Sequence, residues 1–245
     1  MLLWLCAVAM VLATSLAAAP TKKGARARPV AAKTSAAKTA AVARDWTRVV
    51  RRTSAGNFVL GNPAAPVKLV EYLSFTCPHC AAFSAESAAP LKGQMVRSGN
   101  VSLELRPAVR DQIDFGATIL LRCAALEHAF DFAEAMFAAQ NDWLSIGYNF
   151  LEHDAARFSL APPLDQIRAG AQASGLIDVA RAQGLSDARI NACFADKAGF
   201  NQILANADAA RKAITGTPNF YINGTKAPAS SWGALEPLLV AAGAR

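Results

Sequence analysis

The sequence predicts an α/β domain carrying a long all-helical insertion, and three observations predict it. Residues 67–73, Val-Lys-Leu-Val-Glu-Tyr-Leu, are rich in β-branched and aromatic side chains and read as a buried strand that leads into a helical pattern near Pro78. Residues 101–105 alternate apolar and polar, and supply the parallel partner strand of a right-handed βαβ unit. Far down the chain, residues 216–224 form a strand that opens on Thr217-Pro218 and closes on the turn signal Asn223-Gly224. Between these parts, residues 114–214 are helical and alanine-rich, with Ile119, Leu120, Cys123, Leu126, Phe130 and Phe137 spaced mainly by three or four.

The chain has 245 residues, 53% of them hydrophobic, which allows one large domain or two small ones with a substantial core. Its first residues stand apart from that core. Residues 1–19 read as a secretory signal peptide, an apolar run ending in small residues suited to cleavage near Ala17 to Ala19. No Lys or Arg precedes the run, while Lys22, Lys23, Arg26 and Arg28 follow it, so an exported domain on an uncleaved anchor would oppose the positive-inside rule. The segment is then a weak cleaved signal, or the true start lies upstream. Leu5 is bulky where a lipidation site wants a small residue, so Cys6 is assigned to the removed segment.

Residues 20–44 are low-complexity Ala, Lys, Thr, Pro and Arg without aromatics, and cannot bury enough surface to offset their ordering entropy. They read as a disordered basic linker. The seven basic residues there face no acids, which leaves 18 basic against 18 acidic from Asp45 onward; the net charge of +7 is therefore the linker's. No basic folded surface with interleaved aromatics points to nucleic acid. A solvated spacer, or weak contact with an anionic membrane surface, fits the composition better.

The domain itself spans residues 45–245. Residues 47–52 and 57–60 read as a hairpin around Ser54-Ala55-Gly56, and Gly61-Asn62-Pro63 turns the chain into the central strand. Residues 81–96 are helical, with Phe83, Leu91 and Met95 as larger apolar residues and a kink expected at Pro90. Gly184 and Ser186 mark one helix stop and the next start, and Gly216 ends the last helix of the insertion. After Asn223-Gly224 a short strand pairs back. Trp232, Leu235, Leu238 and Leu239 then give a C-terminal helix its apolar face, with Pro237 delaying its start or bending it.

The chemistry concentrates in Phe75-Thr76-Cys77-Pro78-His79-Cys80. Two cysteines two residues apart can close a small disulfide ring, which an incoming thiolate opens readily. Pro78 suits the first helical position, where its missing N–H costs nothing. That puts Cys77 at a helix N-terminus, where unpaired N–H groups and the dipole favour thiolate over thiol, so its pKa is expected below the roughly 8.5 of a free cysteine. His79 adds a donor or cation beside the sulfur, and Cys80, one turn in, is the more buried, resolving thiol. A zinc site would need two more ligands at matching spacing, which isolated Cys123 and Cys193 and the remaining histidines, His128 and His153, do not offer. No metal is indicated, nor any organic cofactor, since there is no G-x-G-x-x-G and no phosphate-binding loop.

With Cys77-Pro78-His79-Cys80 and Thr217-Pro218 in this order, the sequence resembles the thioredoxin superfamily, and within it the bacterial disulfide-bond-forming oxidoreductases called DsbA. The resemblance runs from about residue 61 to the C-terminus. It implies a thioredoxin-like fold whose helical subdomain roofs the active site, and a cis-proline loop, Thr217-Pro218, that faces Cys77 and offers backbone groups to an extended substrate strand. It also picks out Glu71, six residues before Cys77, as a buried acid and proton acceptor for Cys80; the other reading of Glu71 is an edge-strand carboxylate in solvent. Re-oxidation by a quinone-linked membrane partner is implied in the same way. Thr217 is the residue of the isomerase branch and of several oxidase-like relatives.

The function expected is an exported, periplasmic thiol:disulfide oxidoreductase that donates the Cys77–Cys80 disulfide to reduced cysteines of unfolded secreted proteins. The alternatives are a reductase or isomerase of the same fold, and a non-enzymatic chaperone that uses the cleft for unfolded chains. Beyond the C-x-x-C pair, Cys123 and Cys193 remain in the mature chain, each flanked by apolar residues. They read either as a second, structural disulfide, which would match exported relatives, or as two separate buried thiols.

Overall fold

The computed structural model describes residues 44–245, so the expected signal peptide and all of the basic linker except Arg44 lie outside the described residues. Six strands form one mixed sheet in the order β1-β2-β4-β3-β5-β6. They are β1 (Val50–Arg52), β2 (Phe58–Gly61), β3 (Val67–Leu73), β4 (Val101–Pro107), β5 (Asn219–Ile222) and β6 (Thr225–Ala227). The pair β3–β4 is parallel, from Val67 opposite Val101 to Leu73 opposite Pro107, and every other neighbouring pair is antiparallel. The fold is thioredoxin-like, with an N-terminal hairpin added beside β4.

Helix α1 (Pro78–Ser87) makes the crossover from β3 to the parallel strand β4 and continues as a π-helical segment, Ala88–Val96. The kink expected at Pro90 takes this form. A proline in the interior removes an N–H and crowds the carbonyl four residues back, and the wider π winding relieves both. The hairpin begins later than expected, because Trp46–Arg48 form a 3-10 turn capped by the Asp45 carboxylate. The pattern read over residues 114–214 resolves into seven α-helices: α2 (Gln112–Cys123), α3 (Ala129–Ala138), α4 (Gln140–His153), α5 (Pro163–Ala173), α6 (Leu176–Ala182), α7 (Asp187–Phe194) and α8 (Lys197–Ala213). Buried on nearly every face, α2 packs against α3, α5, α7 and α8. The last of these helices stops at Ala213, three residues before Gly216.

Asn223 and Gly224 both have positive φ, 51° and 84°, the backbone a tight hairpin turn needs, and β6 pairs back on β5. Helix α9 (Trp232–Ala241) starts at Trp232 and runs unbroken through Pro237, so the proline does not delay it. Phe83 of α1 lies 4.5 Å from Phe220 of β5 and 6.3 Å from Trp232 of α9, measured between ring centroids. Each such buried ring contributes about 1.5–3 kcal/mol by leaving water. This cluster fixes the C-x-x-C helix against the strand that follows Pro218.

Candidate active site

Cys77 is the N-cap of α1, with extended φ −99° and ψ 115°, and Pro78 takes the first turn. The Cys80 and Ala81 N–H groups donate to the Cys77 carbonyl at 3.1 and 3.2 Å. Both thiols are free and buried, Cys77 3% exposed and Cys80 fully enclosed. Across from them the Thr217-Pro218 bond is cis, and Cys77 Sγ donates to the Thr217 carbonyl at 3.2 Å. The two motifs, 140 residues apart in sequence, therefore meet at one sulfur. The Thr217 hydroxyl is buried without another partner among the described residues, which leaves it free to donate to a thiolate at Cys77.

The two sulfurs have opposite acidities. A hydrogen bond from the Cys80 thiol, above all, pulls the Cys77 pKa down to about 5; burial opposes it, and the Thr217 hydroxyl and the backbone N–H groups of Cys80 and His79 add to it. Burial pushes Cys80 far up, aided by its bond to Cys77 and by the Glu71 charge. His79 is exposed, and the part of it that supports the thiolate is its backbone N–H; no hydrogen bond joins its ring to Cys77.

Glu71 sits on β3 at the centre of the sheet, opposite Leu105 of β4 and Phe220 of β5, and is 4% exposed. It is thus not on an edge strand. Burial raises its pKa to about 8. It lines a cavity of about 40 Å³ with Leu73, Phe83, Leu91, Lys92 and Glu134. That is room for roughly one or two waters.

The turn that aims Cys77 is held by groups that the sequence reading did not single out. The Asp114 carboxylate accepts from Ser74 Oγ at 2.6 Å and from the Phe75 and Arg110 N–H groups at 2.8 and 3.0 Å; burial raises its pKa to about 7. Asp111 accepts from Thr76 Oγ1 at 2.7 Å, and the Arg110 guanidinium donates to the Thr76 carbonyl. Gln140, at the start of α4, donates to the Phe75 and Cys77 carbonyls at 2.7 and 3.1 Å. Asp111-x-x-Asp114 carries a capping signal in sequence, since Asp111 caps α2 through the Asp114 N–H. Gln140 carries none.

Cys123 at the end of α2 and Cys193 on α7 form a disulfide with Cα atoms 6.1 Å apart. Among the described residues no group of three or more His, Cys, Asp or Glu could hold a metal.

Among curated proteins, the chain is 24% identical over 181 residues to a Rickettsia bellii protein named for protein-disulfide oxidoreductase activity, covering 73% of this chain and 61% of that one. It spans about three fifths of the length of the curated relatives it matches. Among solved structures, a protein-disulfide isomerase from Novosphingobium aromaticivorans aligns with TM-score 0.69 and 32% identity, over 75% of this chain and 95% of that one. Wolbachia pipientis alpha-DsbA1 shares the fold, with TM-score 0.60 and 21% identity over 78% and 92% of the two chains. Residues 53–239, which hold the C-x-x-C helix, the cis-proline loop and the helices between them, match the thioredoxin family, and the chain belongs to it.

Proposed function

We propose that the protein is an exported thiol:disulfide oxidoreductase of DsbA type, which passes the Cys77–Cys80 disulfide to reduced cysteines of secreted proteins. One observation carries the reading: an acidic Cys77 against the Thr217 carbonyl, backed by a Cys80 that holds its proton. A substrate thiolate attacks Cys77 Sγ, the Cys77–Cys80 bond breaks, and Cys80 leaves as a thiolate that takes up a proton. Glu71, protonated up to pH of about 8, is the nearby acid for that transfer and the acceptor in the reverse step. A second substrate thiolate then attacks the substrate sulfur of the mixed disulfide, and Cys77 leaves. The substrate is oxidised by two electrons and the Cys77–Cys80 pair is reduced by two.

Cys77 leaves readily because its thiolate is stabilised, and that same stabilisation favours the reduced enzyme over its disulfide. The backbone beside Pro218 is the surface for the extended substrate. Re-oxidation is assigned to a quinone-linked membrane partner, and export to the apolar residues 1–19. The test is the equilibrium of Cys77–Cys80 with glutathione, run beside oxidation of a reduced unfolded protein and reduction of insulin. An oxidising potential and faster oxidation are expected; a thioredoxin-like potential refutes the reading. Thr217 and the Novosphingobium likeness favour a second reading, disulfide isomerisation. Efficient rescue of a scrambled disulfide protein by the reduced form would favour it.

A further inference from the structure

Away from the active site, a cavity of about 200 Å³ opens where β1, α2, α7 and the start of α8 meet, lined by Arg52, Arg122, Arg189, Cys193, Asp196 and Phe200 among others. Three guanidiniums from three elements line it, each held in place by contacts with neutral groups. Arg52 lies over the Phe58 ring at 4.6 Å and donates to the Arg122 carbonyl at 3.1 Å. Arg122 donates to the Gly56 carbonyl at 3.2 Å and to Gln202 Oε1 at 2.7 Å, and Arg189 Nε donates to the Cys123 carbonyl at 3.3 Å. None of the three forms an ion pair with a described residue. A guanidinium has five N–H donors, so most of these donors stay unused by the described residues.

Among the described residues the single acid in the lining is Asp196, whose Oδ1 accepts from the Gly199 N–H at 2.9 Å as the cap of α8. It attracts Arg122, while Arg52 feels Arg189 and Arg122 feels Arg52 as like charges. Like charges are held together here with less than half of their charge compensated. Three cations against one anion leave an excess matched to a dianion. Forks converging from three elements suit an oxyanion with three or more acceptor oxygens better than a planar carboxylate.

We propose that this cavity is an anion site that takes a phosphate-type oxyanion, either free or as the terminal phosphomonoester of a lipid headgroup. It shares no residue with the Cys77 site, so it adds a binding function to the redox one. The occupant neutralises the cluster, and by binding the folded chain it stabilises α7 and α8 against β1.

The full chain is titrated with sodium phosphate and with glycerol 3-phosphate against sodium chloride at equal ionic strength, following the melting temperature. For binding on the order of 1 mM, about 10 mM phosphate raises the melting temperature by about 3 °C over chloride. Arg189→Gln, which removes an exposed side chain, weakens the effect about tenfold and leaves dithiol oxidation unchanged. Asp196→Asn keeps a helix cap, since Asn caps as well as Asp, and tightens phosphate by about three- to tenfold. In parallel, the wild-type and Arg189→Gln chains are mixed with phosphatidic acid or phosphatidylcholine vesicles. Retention on the first lipid only, reduced by Arg189→Gln, puts the oxyanion on a headgroup, and a phosphate shift without such retention puts it on a soluble ligand. Equal shifts in phosphate and chloride, with vesicle binding indifferent to Arg189→Gln, overturn the site; so does a phosphate shift that neither variant alters.

Discussion

Replacing Glu71 with Gln tests the electrostatics beneath the active site with a number attached. Glu71 is buried, its carboxyl makes no hydrogen bond with another described residue, and its pKa is raised by burial from 4.5 to about 8. In the unfolded chain the carboxyl ionises near its ordinary value, whereas in the folded chain it keeps its proton until pH of about 8. Folding therefore binds a proton in that window. The stabilisation is fully present below the unfolded pKa, falls as pH rises, and is lost once pH passes the folded pKa. One pH unit within the window is worth about 1.4 kcal/mol, so between about pH 5 and pH 8 the wild type loses about 4 kcal/mol relative to E71Q, which has no such proton. The assay is equilibrium unfolding in urea at several pH values on the disulfide form, where neither Cys77 nor Cys80 titrates. Asp114 is common to both chains and cancels. The expected result is that the stability difference between wild type and E71Q slopes with pH and moves in favour of E71Q at high pH. Parallel profiles would refute the claim that burial controls this carboxyl.

The largest support for the Cys77 thiolate is the Cys80 thiol, so Cys80→Ala should raise the Cys77 pKa, read as the pH dependence of its alkylation; an unchanged midpoint would assign the effect to the helix terminus instead. Gln140→Ala leaves the Phe75 and Cys77 carbonyls without their side-chain donor and should cost about 1–3 kcal/mol in urea unfolding, with a changed Cys77 alkylation rate; a loss of stability alone would reduce Gln140 to packing. Replacing both Cys123 and Cys193 with Ala opens a loop of separation 70 and should cost up to about 4 kcal/mol, while dithiol oxidation at low temperature persists. Deleting residues 20–44 should leave the melting temperature and peptide oxidation unchanged, and a large fall in melting temperature would show that the segment is part of the fold.

The parts of the site that were legible in sequence are those whose signals are local. Pro78 set the helix start, and Thr217-Pro218 with Asn223-Gly224 bracketed β5. Glu71 was reached through a resemblance, yet β3 carried its own signal: Val67, Leu69, Glu71 and Leu73 are buried in alternation with Lys68, Val70 and Tyr72. A period of two therefore already aims Glu71 inward. What was not legible depends on distant partners. Gln140 acts on carbonyls 65 and 63 residues away, and the break between α3 and α4 falls at Ala139, where no Gly or Pro interrupts the pattern. The π-helical segment at Pro90 is also a packing outcome, since a proline alone does not say whether a helix will kink, stop or widen.

The two ends of the sheet bear on where another chain can add to it. β1 and β6, its outermost strands, are three residues each, and they carry Arg51, Arg52 and Lys226 as exposed side chains. Short, cationic edges are poor templates for strand addition, so the fold discourages its own copies from stacking edge to edge. For the function proposed, an unfolded polypeptide seeking backbone partners would be refused at both rims and left with the loop before Pro218, beside Cys77. Protection from aggregation and, on that proposal, selection of the docking site are in this sense one property of how the sheet is finished.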